Sequence, residues 1–254
     1  LISHSNALFR IKIVRRMTSQ HNIPPLPFLY NFLSNRSTQR IAEKEDLSES
    51  TRNAVKECVR YILCREGSKI PIKRSEIKEH LSTISQISQN EMNTIILESE
   101  KMLKKIYGFK LIQIAANSGI QYIVVLAEPC EDPLLSTTID IYHRELLVAI
   151  LTHIFMSGGP VKDEDMWNFL AETGLLKETD NAGRKIITNL FTKQLYLKYI
   201  KVGENESARR VFEWGQRAIE EVPKLFLLTK ISQAFKRDPC EWIEQYKECT
   251  RDEN

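Results

Sequence analysis

The chain has 254 residues, 42% of them hydrophobic and 27% charged, with 36 Lys and Arg against 33 Asp and Glu for a net charge of +3. That length accommodates two domains of ordinary size, and the composition is that of a globular protein. The charge is too small to demand a nucleic-acid partner and allows one where basic residues cluster. No uncharged apolar stretch approaches the ~20 residues needed to cross a bilayer, so no membrane partner is expected.

Residues 1–46 are rich in Ser, Asn, Pro and Arg and read as a flexible N-terminal segment. Residue 1 is Leu and Met17 follows a basic run, so residues 1–16 read as translated leader or as the start of a fragment. The aromatic island Pro24–Phe32 could fold back or dock on a partner. From Leu47 the pattern sharpens. Ser48 and Ser50 precede Val55, Cys58, Val59, Ile62 and Leu63, the stripe of an amphipathic helix that Gly67 ends. Pro71 then leads a short helix carrying Ile77 and Leu81. A third helix is expected over 91–107, with Ile95, Ser99, Met102, Leu103 and Ile106 inward and Gly108 as its stop. FKLIQIA and IQYIVVLA, separated by an Asn/Gly turn, read as a hairpin. Three helices and a hairpin are the order of a winged helix, assigned to residues 47–128.

Residues 129–138, with prolines and acidic side chains nearby, read as a linker. The same order then repeats over 139–236 without repeating its wording. Leu146–Leu176 is the most telling stretch: an apolar helix within Tyr142–Met156, a Gly-Gly-Pro turn, and an amphipathic helix over Lys162–Glu172. Asp163–Asp165 fall in the first turn of that helix, where negative charge suits the helix end. A third helix over Ala182–Leu195 buries Ile186, Ile187, Leu190 and Phe191. LYLKYIKV and RRVFEW form the second hairpin, its turn at Gly203–Ser207, and a last helix spans Pro223–Phe235. Residues 237–254 read as a C-terminal tail. The fold class is mainly α with small β hairpins (α+β), a tandem winged helix.

Chemistry finds little support. His4, His21, His80, His143 and His153 are scattered, and none sits in a nucleophile or metal motif. His153 reads as a packed or partner-facing residue of an apolar helix. The five cysteines (Cys58, Cys64, Cys130, Cys240, Cys249) show no CxxC and no zinc spacing, so reduced structural thiols in a nuclear or cytosolic protein are expected. The Asn35 and Asn205 sequons then carry no meaning. Neither enzyme activity nor a cofactor is expected. Basic residues do cluster: Arg184, Lys185, Lys193, Lys198, Lys201, Arg209 and Arg210 on the second unit's third helix and wing, and Lys69, Lys73, Arg74 and Lys78 in the first. A solvated face and a sequence-independent duplex-DNA surface both remain open for them.

KIPIKRSEI, YGFKL, IFMSGGPV, DMWNFL, RKIIT, YLKY, FEWGQRA and DPCEWIEQY occur in this order over 47–250. In that wording the chain resembles the MAGE homology domain family and, within it, the MAGE-type subunit (non-SMC element three) of the SMC five–six chromosome-maintenance complex. One departure is Gln216, where the family usually has Pro. The resemblance implies a nuclear, chromatin-associated, non-catalytic scaffold that binds and stimulates a RING-type ubiquitin ligase subunit (non-SMC element one), with Ile62 and Leu63 as the paired aliphatic motif. It also implies a kleisin subunit (non-SMC element four) held by helix-in-groove docking near Leu227, Leu228 and Ile231. The alternatives are a MAGE-type regulator of another RING ligase and a winged-helix transcription regulator.

Overall fold

The computed structural model describes residues 47–84, 88–128, 140–203 and 209–251. The expected flexible segment, the linker and most of the second wing turn lie outside the described residues. The described chain forms two compact units, one on either side of the linker.

In the first unit, α1 (Glu49–Glu66) is capped by Ser48, whose hydroxyl accepts from the Thr51 amide at 3.1 Å. It buries Ala54, Val55, Cys58, Val59 and Ile62. Strand β1 (Ile72–Lys73) leads into α2 (Arg74–Ser82), which turns Ile77 and Leu81 inward. A reciprocal cap opens α3 (Gln89–Met102): the Glu91 amide donates to the Ser88 hydroxyl and the Ser88 amide to the Glu91 carboxylate. The helix continues as a π turn, Leu103–Tyr107, ended by Gly108 at φ 68°. Here the structure corrects the 3.6-residue expectation. Ile106 is 41% exposed although its spacing from Ile95 and Leu103 placed it inward. The wider turn shifts the phase of the side chains that follow it. Strands β2 (Phe109–Ala116) and β3 (Gly119–Leu126) pair in register from Phe109 opposite Leu126 to Ala116 opposite Gly119, and β3 lies between β1 and β2.

The second unit repeats the plan. Helix α4 (Ile141–Met156), capped by Asp140, is buried at every position from Leu146 to Phe155. A helix apolar on all sides belongs at the centre of its unit. His153 sits there with its ring stacked on Phe169 at 4.1 Å, the packed alternative of the two readings of it. The Gly158–Gly159 turn uses φ values of 76° and 148°. It delivers the chain to β4 (Val161–Lys162) and α5 (Asp163–Glu172), whose first turn holds Asp163, Glu164 and Asp165 as expected. The third helix is built in three pieces: α6 (Asn181–Lys185), a π turn Ile186–Leu190, and α7 (Phe191–Lys193). Strands β5 (Leu197–Val202) and β6 (Arg209–Trp214) complete the sheet, with β6 between β4 and β5.

Two elements were not foreseen between the wing and the C-terminus. The first is α8 (Gln216–Glu221). It starts at Gly215, where an added Cβ would lie 2.1 Å from the Leu195 carbonyl oxygen. Only glycine fits that approach. Gln216 is the first helical residue after Gly215, a position where proline also fits, so the departure from the family's Pro leaves the turn intact. Behind it, buried Arg217 donates to the Gln194 carbonyl at 2.9 Å and to Glu221 at 3.0 Å, while the Tyr196 hydroxyl donates to Glu221 at 2.6 Å. The second is the expected tail. After α9 (Lys224–Phe235), a short turn Pro239–Glu241 and a helix, α10 (Ile243–Arg251), fold onto the unit and place Cys249 in its core.

Candidate functional site

Each expected partner surface can be placed within one unit. In α1, Ile62 is wholly buried and Leu63 is partly buried beside it. Neighbours on a helix stand ~100° apart, which puts one of the pair in the core and leaves the other at its edge. Tyr61, next in the chain, stacks on His80 with ring centres 4.5 Å apart, and His80 contacts Glu57 at 2.9 Å. These contacts tie the Glu57–Tyr61 side of α1 to α2, a different side of the helix from Leu63.

Leu227, Leu228 and Ile231 each have 0% exposure. They form the floor of the α9 region and present no open groove in this conformation. The side chains that Trp242 and α10 lay down there went unrecognised in the sequence. Trp242 meets Phe235 edge-on with ring centres 6.4 Å apart, and Tyr246 and Cys249 pack with the same core. Lys224 pairs with Glu248 at 3.0 Å, and Gln245 donates to the Met156 carbonyl at 3.3 Å. The signal was available: Trp242, Tyr246 and Cys249 recur at i, i+4 and i+7, behind an Asp238–Glu241 capping box.

The seven basic residues of the second unit do not share one face. Lys201 and Arg210 are opposite each other in the β5–β6 register, on the same face as Tyr199 and Phe212. Lys198 and Arg209 belong to the other face of the hairpin, opposite Glu213 and Val202. Lys185 and Lys193 are exposed on the third helix, whereas the Arg184 guanidinium lies 4.8 Å from the centre of the Trp167 ring. Arg210 sits 5.2 Å over Tyr199, whose hydrogen bond and charge hold the guanidinium pKa above its ordinary value. In the first unit the basic residues are largely engaged. Lys69 is buried against Glu66, Arg74 donates to the Tyr122 hydroxyl at 3.1 Å, and Lys73 approaches Glu76 at 3.9 Å. That argues for a paired structural role for three of the four.

Among the described residues, no group of three His, Cys, Asp or Glu side chains is placed to hold a metal ion, and no helix is long and apolar enough to cross a membrane. Cys58 is buried and Cys64 is exposed.

The two units are winged helices in tandem. The MAGE homology domain model matches residues 58–126 and 135–225, and the chain belongs to that family. It is 28% identical over 204 residues to the human non-structural maintenance of chromosomes element 3 homolog, covering 78% of this chain and 66% of that protein. It is 32% identical over 194 residues to human melanoma-associated antigen D2, covering 75% of this chain and 32% of that protein. The chain thus spans about a third of the antigen relatives' length. Among solved structures it is similar to a chain of the Nse1-Nse3-Nse4 complex, with a TM-score of 0.67 and 27% identity over 80% of this chain and 99% of that one. The α+β tandem winged-helix architecture expected from the sequence is the architecture found.

Proposed function

We propose that this protein is a non-catalytic scaffold subunit of an SMC five–six type chromosome-maintenance complex. In this reading it joins a RING-type ubiquitin ligase subunit to a kleisin and works in the nucleus on chromatin. The observation that carries it is the likeness to a chain of the Nse1-Nse3-Nse4 complex over nearly that chain's whole length. The RING subunit docks on the first unit, with Leu63 offering contact surface and Ile62 fixing its position from the core. The kleisin docks as a helix on the second unit at α9, above Leu227, Leu228 and Ile231. Ligase stimulation follows from holding the RING subunit in place.

Duplex DNA is the third partner, met without sequence preference; of the seven basic residues, Lys201 and Arg210 on one face of the wing and the exposed Lys185 and Lys193 of the third helix are the proposed contacts. The facing Lys201 and Arg210 support this. Like charges opposite one another in a hairpin are unfavourable, and an anion laid between them relieves the repulsion.

The 32% identity to melanoma-associated antigen D2 favours a second reading, a MAGE-type regulator of a different RING ligase. Co-expression with candidate RING and kleisin subunits separates the two. A stable three-protein complex is expected; RING binding with no kleisin binding would favour the second reading.

A further inference from the structure

We propose that the C-terminal helix α10 is a ligand that this chain binds in cis, occupying the groove that a partner's amphipathic helix must enter. The inference rests on the reading that a kleisin helix docks at α9. Helix-in-groove ligands present apolar residues at i, i+3, i+4 and i+7 to a hydrophobic trough. Trp242, Tyr246 and Cys249 have the i, i+4, i+7 spacing, and all three pack on the core that contains Leu227 and Leu228. The two helices run antiparallel, which the contacts at both ends fix: Phe235 against Trp242 at one, Lys224 against Glu248 at the other. Gln245 reaches the last residue of α4, Met156, as a third point of attachment. Apart from the exposed Ile243, the rest of α10 is polar, with Glu244 and Lys247 paired to each other at 3.3 Å and exposed. The hold includes three apolar side chains, one partly exposed ion pair and one amide. A helix of nine residues is too short to persist alone in water, so its order depends on the groove.

A site occupied in cis lowers a partner's apparent affinity by the fraction of time it stands open. A strap closed 90–99% of the time costs about 10- to 100-fold. Loosening α10 should return that factor. The test uses the full chain, a labelled peptide of residues 238–251, and a kleisin fragment carrying its docking helix. The unaltered chain should not bind the peptide measurably. The Trp242→Ala chain should bind it, and should bind the kleisin fragment roughly tenfold more tightly than the unaltered chain. Peptide and kleisin fragment should exclude each other. Glu248→Lys and Lys224→Glu should each tighten kleisin binding about two- to fivefold, and the double exchange should restore the original affinity, a rescue that misfolding cannot produce. Peptide binding to neither chain, or kleisin affinity unchanged by every variant, would overturn the inference. Peptide binding to Trp242→Ala with no kleisin binding to any chain would support the cis groove and overturn the kleisin assignment instead.

Discussion

The Tyr199 hydroxyl donates to the Asp163 carboxylate at 3.1 Å, tying the second wing to the first turn of α5 across 36 residues of sequence. The same ring carries Arg210 on one face and lies stacked on Phe212 at 4.5 Å. A basic side chain at the wing is thus held by a rigid aromatic base, itself anchored to the unit's core.

The proposed DNA surface follows from that anchoring. Lys185→Glu combined with Lys201→Glu should weaken duplex binding whatever the sequence, and each lost phosphate contact should flatten the log–log salt dependence by about 0.9. Lys185 is a cleaner probe than Arg184, whose stacking on Trp167 mixes charge with packing. Filter binding or fluorescence anisotropy over a salt series reads the slope, and a slope equal to that of the unaltered chain sinks the assignment.

Leu228→Glu tests stability and not docking. Leu228 is fully buried, so the substitution places a carboxylate in an apolar core with no partner. A loss of more than about 4 kcal/mol, or outright unfolding of the second unit, is expected in denaturant titrations followed by circular dichroism. An intact fold would mean that the α9 floor opens readily to solvent.

Gly215→Ala should destabilise the second unit by at least roughly 1–3 kcal/mol, because the new methyl meets backbone that cannot step aside. Gln216→Pro, one residue later, should be close to neutral in the same thermal melts, since it enters the first turn of α8. Equal losses from both changes would contradict this account of the turn.

Cys58 and Cys64 should separate under a thiol reagent. Burial pushes the Cys58 thiol up to about 11, partly offset by its hydrogen bond with Ser99. Cys64 is exposed and should react at once, with Cys58 waiting on unfolding. The sign for stability is also fixed. The folded state holds the Cys58 proton more tightly than the unfolded chain does. That contribution is complete below the ordinary thiol value of 9.0 and is lost as pH rises from there to about 11. In the Cys58→Ala chain this alkaline loss should disappear from the melting curve.

Much of the fold was legible because period and punctuation agreed. Val55 to Ile62, and Met166 to Leu170, repeat at helical spacing and are buried accordingly. Gly108 and the Gly158–Gly159 pair take the positive φ angles that glycines at such stops invite. The ends were less legible. The segment Trp242–Arg251 has only three apolar anchors among many charges, a pattern that looks like a polar tail until a groove is known to receive it. Partner surfaces were harder still, since periodicity reports that Leu227, Leu228 and Ile231 share an apolar stripe without saying whether solvent, another helix or a partner covers them.

The two π turns, at Leu103–Tyr107 and Ile186–Leu190, occupy the same place in both units, each in the third helix and ahead of the hairpin. Such a turn holds one residue more than a regular helical turn. A single-residue deletion within it could therefore be absorbed by tightening the helix, leaving the β2–β3 or β5–β6 pairing undisturbed. The same deletion inside a strand would turn every later side chain of that strand to the opposite face. Each wing is thus insulated from a change of one residue in the helix before it.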